Sequence, residues 1–161
     1  MKLVITMSRR YGTGASKIAR DLAQKLEVPL YNKEYFENAL EKHVYENEAD
    51  AIRELANEPC VILGRCACEI LKDRKNVLNV YITAEREDRI RRVMELFSLD
   101  YEEAKEFMEK NDKSRADYYH EHTGKAWGDV NDYHLILDRS EIGLDNCADV
   151  LVQYLKRLEY I

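Results

Sequence analysis

Residues 2–17, KLVITMSRRYGTGASK, read as a strand, a loop and the start of a helix. Residues 2–7 form an apolar run with β-branched residues at its middle, the pattern of a buried strand. Residues 8–14 make a loop carrying Gly12 and Gly14. From Ser16 onward, Ile18, Ala19, Leu22, Ala23 and Leu26 fall on one helical face. A loop of this kind brings unpaired backbone N–H groups to a helix N-terminus, which suits an anion. The glycines let the chain approach such a ligand closely, and they would serve a plain tight turn equally well.

Outward from this unit, strands alternate with helices. Residues 28–31 read as a second strand. Residues 33–57 read as two charged helices broken near Asn47, the second stopped by Pro59. Cys60, Val61, Ile62 and Leu63 form a third strand, with Gly64 and Arg65 opening a short helix. Residues 77–82 form a fourth strand and 85–97 a helix. Another helix start follows at Ser98, with early acids suited to its dipole. Residues 110–130 are polar and aromatic, with Gly124 and Gly128. Residues 135–138 form a fifth strand. A last helix shows Leu144, Cys147, Ala148, Leu151, Val152 and Leu155 on one face. The strands are apolar runs rather than alternating ones, so both sheet faces are expected to be covered. That predicts a parallel sheet in a three-layer α/β fold, with ligands beyond the carboxyl ends of the strands. No repeat or linker interrupts the chain, and one domain over 1–161 is expected.

The chain has 161 residues, 45% hydrophobic and 35% charged, with a formal net charge of −6. Nucleic acid is therefore not an expected partner, and an anionic small molecule needs a local positive cluster. No apolar run approaches the length of a membrane span, and the N-terminus lacks a signal-peptide pattern, so no membrane partner and a cytoplasmic location are expected. Cys60, Cys66, Cys68 and Cys147 do not make a disulfide framework. Cys66 and Cys68 lack a second Cys/His pair at zinc-site spacing, so free thiols are expected. No motif speaks to oligomeric state.

The phosphate-loop signature is G-x-x-x-x-G-K-[ST]. Gly14 fits its second glycine and Ser16 its hydroxyl residue. Arg9 stands where the first glycine belongs, and Ala15 where the lysine belongs.

Several motifs occur in a telling order. They are the loop Ser8-Arg9-Arg10-Tyr11-Gly12-Thr13-Gly14-Ala15, then Gly64-Arg65-Cys66-Ala67, then Asp112-Lys113-x-Arg115-Ala116-x-Tyr118-Tyr119, then Thr123-Gly124-Lys125-x-Trp127-Gly128, then LILDRS. From Leu3 to Leu155 this order resembles bacterial cytidylate kinase and, more closely, the cytidylate kinase-like family of P-loop proteins. The resemblance implies a nucleoside-monophosphate-kinase fold with a five-stranded parallel sheet flanked by helices. It also implies a monophosphate-binding insert near 33–57 and a lid near 110–128.

The implied activity is ATP- and Mg2+-dependent phosphoryl transfer to a nucleoside monophosphate, CMP or dCMP by default. The implied phosphate cradle is Arg9, Gly12, Thr13, Gly14, Ala15, Ser16 and Lys17, with Ser16 also meeting the metal. Arginines clamp phosphates because their planar forks match phosphate oxygens. Arg65 is the acceptor-side candidate, with a surface ion pair as its alternative. Lys113 and Arg115 are the catalytic lid candidates, with a solvated helix face as theirs. One of Arg89, Arg91 and Arg92 could face the site. Tyr118, Tyr119 and Trp127 suit either base stacking or lid packing, and Asp138 suits a helix cap. Three departures stand out: Ala15 for the signature lysine, Asn32 for an Asp after the second strand, and Cys66 for an Asp after Gly-Arg. The first leaves Arg9, Arg10 and Lys17 as sources of the missing charge. It also keeps open a non-catalytic nucleotide- or phosphate-binding module, or an interaction domain on the same fold.

Overall fold

The computed structural model describes residues 3–161. Strand β1 is Val4–Arg9 and is followed by helix α1, Ala15–Leu26. Next come β2 (Leu30–Tyr31), α2 (Lys33–Glu41), α3 (Glu48–Leu55), β3 (Cys60–Leu63) and α4 (Ala67–Ile70). The second half holds β4 (Val77–Thr83), α5 (Arg86–Phe97), α6 (Tyr101–Thr123), β5 (Leu135–Asp138), α7 (Arg139–Ile142) and α8 (Cys147–Arg157). The five strands form one parallel sheet in the order β2-β3-β1-β4-β5.

Both faces are covered, as the apolar strands require. On one face Ile18 and Leu22 of α1 and Leu151 and Leu155 of α8 pack with Ile5, Met7, Val80 and Ile82. On the other, Phe36 of α2 and Ala51 and Ile52 of α3 pack with Val4, Ile62 and Val77. β1 lies at the centre, so the loop after it opens at the middle of the carboxyl edge. Asn32 and Asn47 cap α2 and α3, accepting hydrogen bonds from the backbone N–H groups of Tyr35 and Asp50.

Three expectations need correction. β1 continues to Arg9, because Ser8 and Arg9 still pair with Tyr81 and Ile82 of β4; Lys2, which was read into the strand, lies outside the described residues. Gly64 and Arg65 do not open a helix: Gly64, Arg65 and Cys66 lie at φ of +73°, +59° and +57°, and α4 begins only at Ala67. Residues 110–128 are not a separate segment. Most of them complete α6, which starts at an Asp100–Glu103 capping box and ends at Gly124. α6 carries no continuous apolar stripe, so composition concealed its length. The short α7 was not expected either.

α5 and α6 form a hairpin whose own core is Ile90, Val93, Ala104 and Met108. One ion pair fastens it beside β1. Arg89 is only 9% exposed, and its Nη1 donates to Asp112 Oδ2 at 2.8 Å and to the Tyr11 carbonyl at 3.2 Å. Asp112 Oδ1 accepts from the Tyr11 N–H at 2.8 Å.

Two predictions follow from these contacts. Asp100→Ala removes the cap of α6 and costs about 1 kcal/mol in urea denaturation. Asp112→Ala strands a buried guanidinium and costs about 3–5 kcal/mol, whereas the double variant Arg89→Met/Asp112→Leu recovers most of that loss.

Candidate functional site

The loop after β1 is gripped by its carbonyl oxygens. Arg139, the first residue of α7, donates from Nε to the Thr13 carbonyl at 2.9 Å and from Nη2 to the Gly12 carbonyl at 3.0 Å. Arg89 holds the Tyr11 carbonyl, and Thr13 Oγ1 donates to the Arg10 carbonyl at 2.9 Å. The N–H of Arg10 goes to Ile82, and that of Tyr11 to Asp112. Among the described residues, the N–H groups of Gly12, Thr13, Gly14, Ala15 and Ser16 donate to no protein acceptor. Unpaired backbone donors of this kind need a partner. At the N-terminus of α1 they suit an anion.

Two glycines make this loop possible. Gly12 has a φ of +82°, and a Cβ there would lie 2.7 Å from the Arg89 carbonyl oxygen. Gly14, the N-cap of α1, has a φ of +81°. The loop borders a cavity of about 270 Å³, which Arg92 and Leu96 of α5 and Arg115 of α6 also line. Thr13 and Ala15 are buried, so their contribution is backbone; Ser16 is exposed.

A second cavity, of about 280 Å³, lies between the ends of β1 and β3 and the face of α6. Arg9, Lys33, Arg65 and Arg115 line it, together with Ser8, Cys66, Tyr118, Tyr119 and Trp127, and no carboxylate does. Arg9 and Arg115 border both cavities. The Arg9 guanidinium passes over Gly64, where a Cβ would overlap its Nη1. Arg115 lies over the Tyr11 ring at 5.0 Å, and its buried Nη1 has no partner.

The charges here are unevenly balanced. Arg65 gives both Nε and Nη2 to the Glu48 carboxylate of α3. Burial alone would lower its pKa, but the bonds and charge of Glu48 outweigh that and raise it. Arg9 has no such partner among the described residues. Burial, then the guanidiniums of Arg115 and Arg65, push its pKa down to about 9. Burial also lowers that of Arg115, partly offset by Asp112. Burial pushes the Cys66 thiol up to about 11, which keeps it neutral.

A third hollow brings Ser16 together with Asn32, Glu34 and Glu37 of the α2 start, with Arg9 and Lys33 also on its wall. A hydroxyl, an amide and carboxylates suit a hard cation such as Mg2+. No group of three or more His, Cys, Asp or Glu among the described residues could hold a metal alone. Bound phosphate oxygens would have to complete the shell, as is usual for Mg2+.

The structure thus gathers Arg9, Gly12, Thr13, Gly14, Ala15, Ser16, Arg65 and Arg115 around adjoining cavities. It does not gather two expected residues. Lys17 pairs with Asp21 at 2.6 Å and Asp145 at 3.1 Å. Lys113, with a side chain 77% exposed, pairs with Asp117 at 2.7 Å. Neither lines the loop cavity or its neighbour. Of the α5 arginines, Arg92 faces the loop, Arg89 braces it and Arg91 pairs with Asp88. Tyr118 and Trp127 line the second cavity, with Tyr118 stacked on His122 at 4.0 Å and Arg10 over Trp127 at 4.9 Å. The Tyr119 hydroxyl meets Cys68 Sγ at 3.8 Å. Asp138 caps α7, accepting from the Ser140 N–H. Arg139, Glu48, Glu34 and Glu37 were missed. Only Arg139 sat in a quoted motif, LILDRS; the carboxylates had no signal beyond a charged helical pattern.

Comparisons with known proteins agree with this layout. The sequence matches the cytidylate kinase-like family over residues 4–43 and 37–141. No curated protein matches it. Among solved structures, an uncharacterized protein from Eubacterium ventriosum superposes with a TM-score of 0.88 at 28% identity, covering 98% of this chain and 99% of that one. Shikimate kinase from Acinetobacter baumannii, in complex with shikimate, gives a TM-score of 0.61 at 16% identity, covering 96% and 93%. YorR from Bacillus subtilis, in complex with phosphorylated GDP, gives 0.61 at 20% identity, covering 98% and 97%. The last two likenesses show the fold. The family match spans most of the chain and includes the phosphate loop, the Gly64-Arg65 turn and α6: the chain belongs to the cytidylate kinase-like family.

Proposed function

We propose that the protein transfers the γ-phosphoryl group of ATP to a nucleoside monophosphate, with CMP or dCMP as the default acceptor. The observation that carries this reading is the pair of adjoining cavities, one floored by free loop N–H groups and one lined by cations, sharing a wall of Arg9 and Arg115. Phosphoryl transfer needs little covalent chemistry from a protein; positioning and charge neutralisation do most of it.

In this reading the backbone donors from Gly12 to Ser16 hold the β-phosphate of the donor. The acceptor phosphate lies in the second cavity against Arg65 and Lys33. An acceptor phosphate oxygen attacks the γ-phosphorus, the bond to the β–γ bridging oxygen breaks, and ADP leaves with that oxygen. The products are ADP and a nucleoside diphosphate. Ser16, Asn32, Glu34 and Glu37 would hold Mg2+, which when bound neutralises phosphate charge. Tyr118 and Trp127 offer aromatic faces to the acceptor, and residues 110–128 supply the wall that excludes water. A wider cleft of about 700 Å³ continues from Arg65 past Tyr118 and His122, giving a nucleoside room beyond its phosphate.

Ala15 favours a second reading, a nucleotide-binding module without turnover. One assay separates the two. Purified protein with Mg2+ and ATP is expected to form ADP on addition of one nucleoside monophosphate from a panel. Tight nucleotide binding with no ADP formed from any acceptor would establish the second reading instead.

A further inference from the structure

A P-loop without its lysine needs another source of charge at the transferring group. The sequence offers Arg9, Arg10 and Lys17. The structure separates them. Lys17 is neutralised by Asp21 and Asp145 on the flank of α1. Arg10 borders the loop cavity but sets its guanidinium over the Trp127 ring at 4.9 Å and does not line the second cavity. Arg9 alone lines both the loop cavity and the second cavity.

Its setting is that of a charge waiting for an anion. Arg9 leaves β1 at the position of the first signature glycine. Its guanidinium is admitted only because Gly64 has no Cβ. It forms no ion pair among the described residues, although Glu34 and Glu37 border a neighbouring hollow that it also lines, and Arg115 and Arg65 lie beside it. Arg115 shares this condition, with a buried Nη1 that bonds to nothing. Two neighbouring guanidiniums with no carboxylate bonded to either oppose folding unless an anion joins them.

We infer that Arg9, joined by Arg115, is the catalytic residue that replaces the signature lysine, holding the γ-phosphoryl oxygens from the acceptor side of the loop. This rests on the phosphotransferase reading above. In the usual signature the charge comes from the residue after the second glycine. Here it comes from the residue at the first glycine, and Gly64 has taken over the task of leaving room. The bonding change is the one already given; Arg9 neither gains nor loses a proton.

Calorimetry with ADP and with a non-hydrolysable ATP analogue tests this directly. Both should bind the wild type. In Arg9→Gln the affinity for ADP should stay within about twofold, while that for the ATP analogue falls roughly tenfold or more. Turnover should fall about 100-fold or more in kcat. The free variant should melt a few degrees higher than the wild type, about 2–4 °C, because one of three crowded guanidiniums is gone. A merely structural arginine would lower the melting temperature. The double variant Arg9→Gly/Ala15→Lys restores the full signature and should recover the preference for the ATP analogue over ADP. Equal losses for both nucleotides, no loss at all, or no recovery in the double variant would overturn the assignment. Failure of the wild type to bind either nucleotide would overturn it together with the phosphotransferase reading.

Discussion

The site depends on which half of the loop backbone the protein itself satisfies. Arg89, Arg139 and Thr13 take the carbonyl oxygens of residues 10–13. Holding those oxygens from outside leaves the N–H groups of residues 12–16 facing the other way with no internal partner. Backbone donors are expensive to leave unpaired, so the arrangement persists because the surrounding elements over-determine it. Arg139 comes from the edge of β5, Arg89 from α5, and Asp112 from α6. Each is positioned by a different part of the fold, and each closes on the same few residues.

A related tension runs through the arginines. In a chain with net charge −6, carboxylates are abundant, and cations packed beside the site can pair with one. Arg65 and Arg89 illustrate this, with Glu48 and Asp112. Arg9 and Arg115 do not, although carboxylates are abundant. The positive φ of Arg65 and of Cys66 adds backbone strain at the same place. Stability is given up where the two cavities meet, which is where a transferring group would carry its charge. The Glu48–Arg65 pair joins this region to α3, so α3 and the second cavity are mechanically linked.

Much of this was legible in the sequence. The apolar strand runs gave the parallel sheet. Gly12, Gly14 and the periodic face of α1 gave the strand–loop–helix unit. Asn47 marked the start of α3, whereas Pro59 stands four residues past its end at Leu55, just before β3. What sequence concealed has physical causes. α6 is long but lacks an apolar stripe, because one side meets the α5 hairpin and another lines a polar cavity. Lys113 and Arg115 are two residues apart on that helix and therefore face different ways, a distinction that charge alone does not carry. Lys17 sits next to Ser16 yet turns to Asp21 one helical turn on. Arg139 grips a loop some 126 residues away in sequence, a contact that only the closed sheet creates.

In the proposed function, the N–H groups of residues 12–16 are the phosphate receptor. Amide chemical shifts of 15N-labelled protein during titration with ADP and Mg2+ test it most directly. The largest saturable shifts are expected on Gly12, Thr13, Gly14, Ala15 and Ser16. Saturable binding that leaves these five amides unmoved while others shift would contradict it.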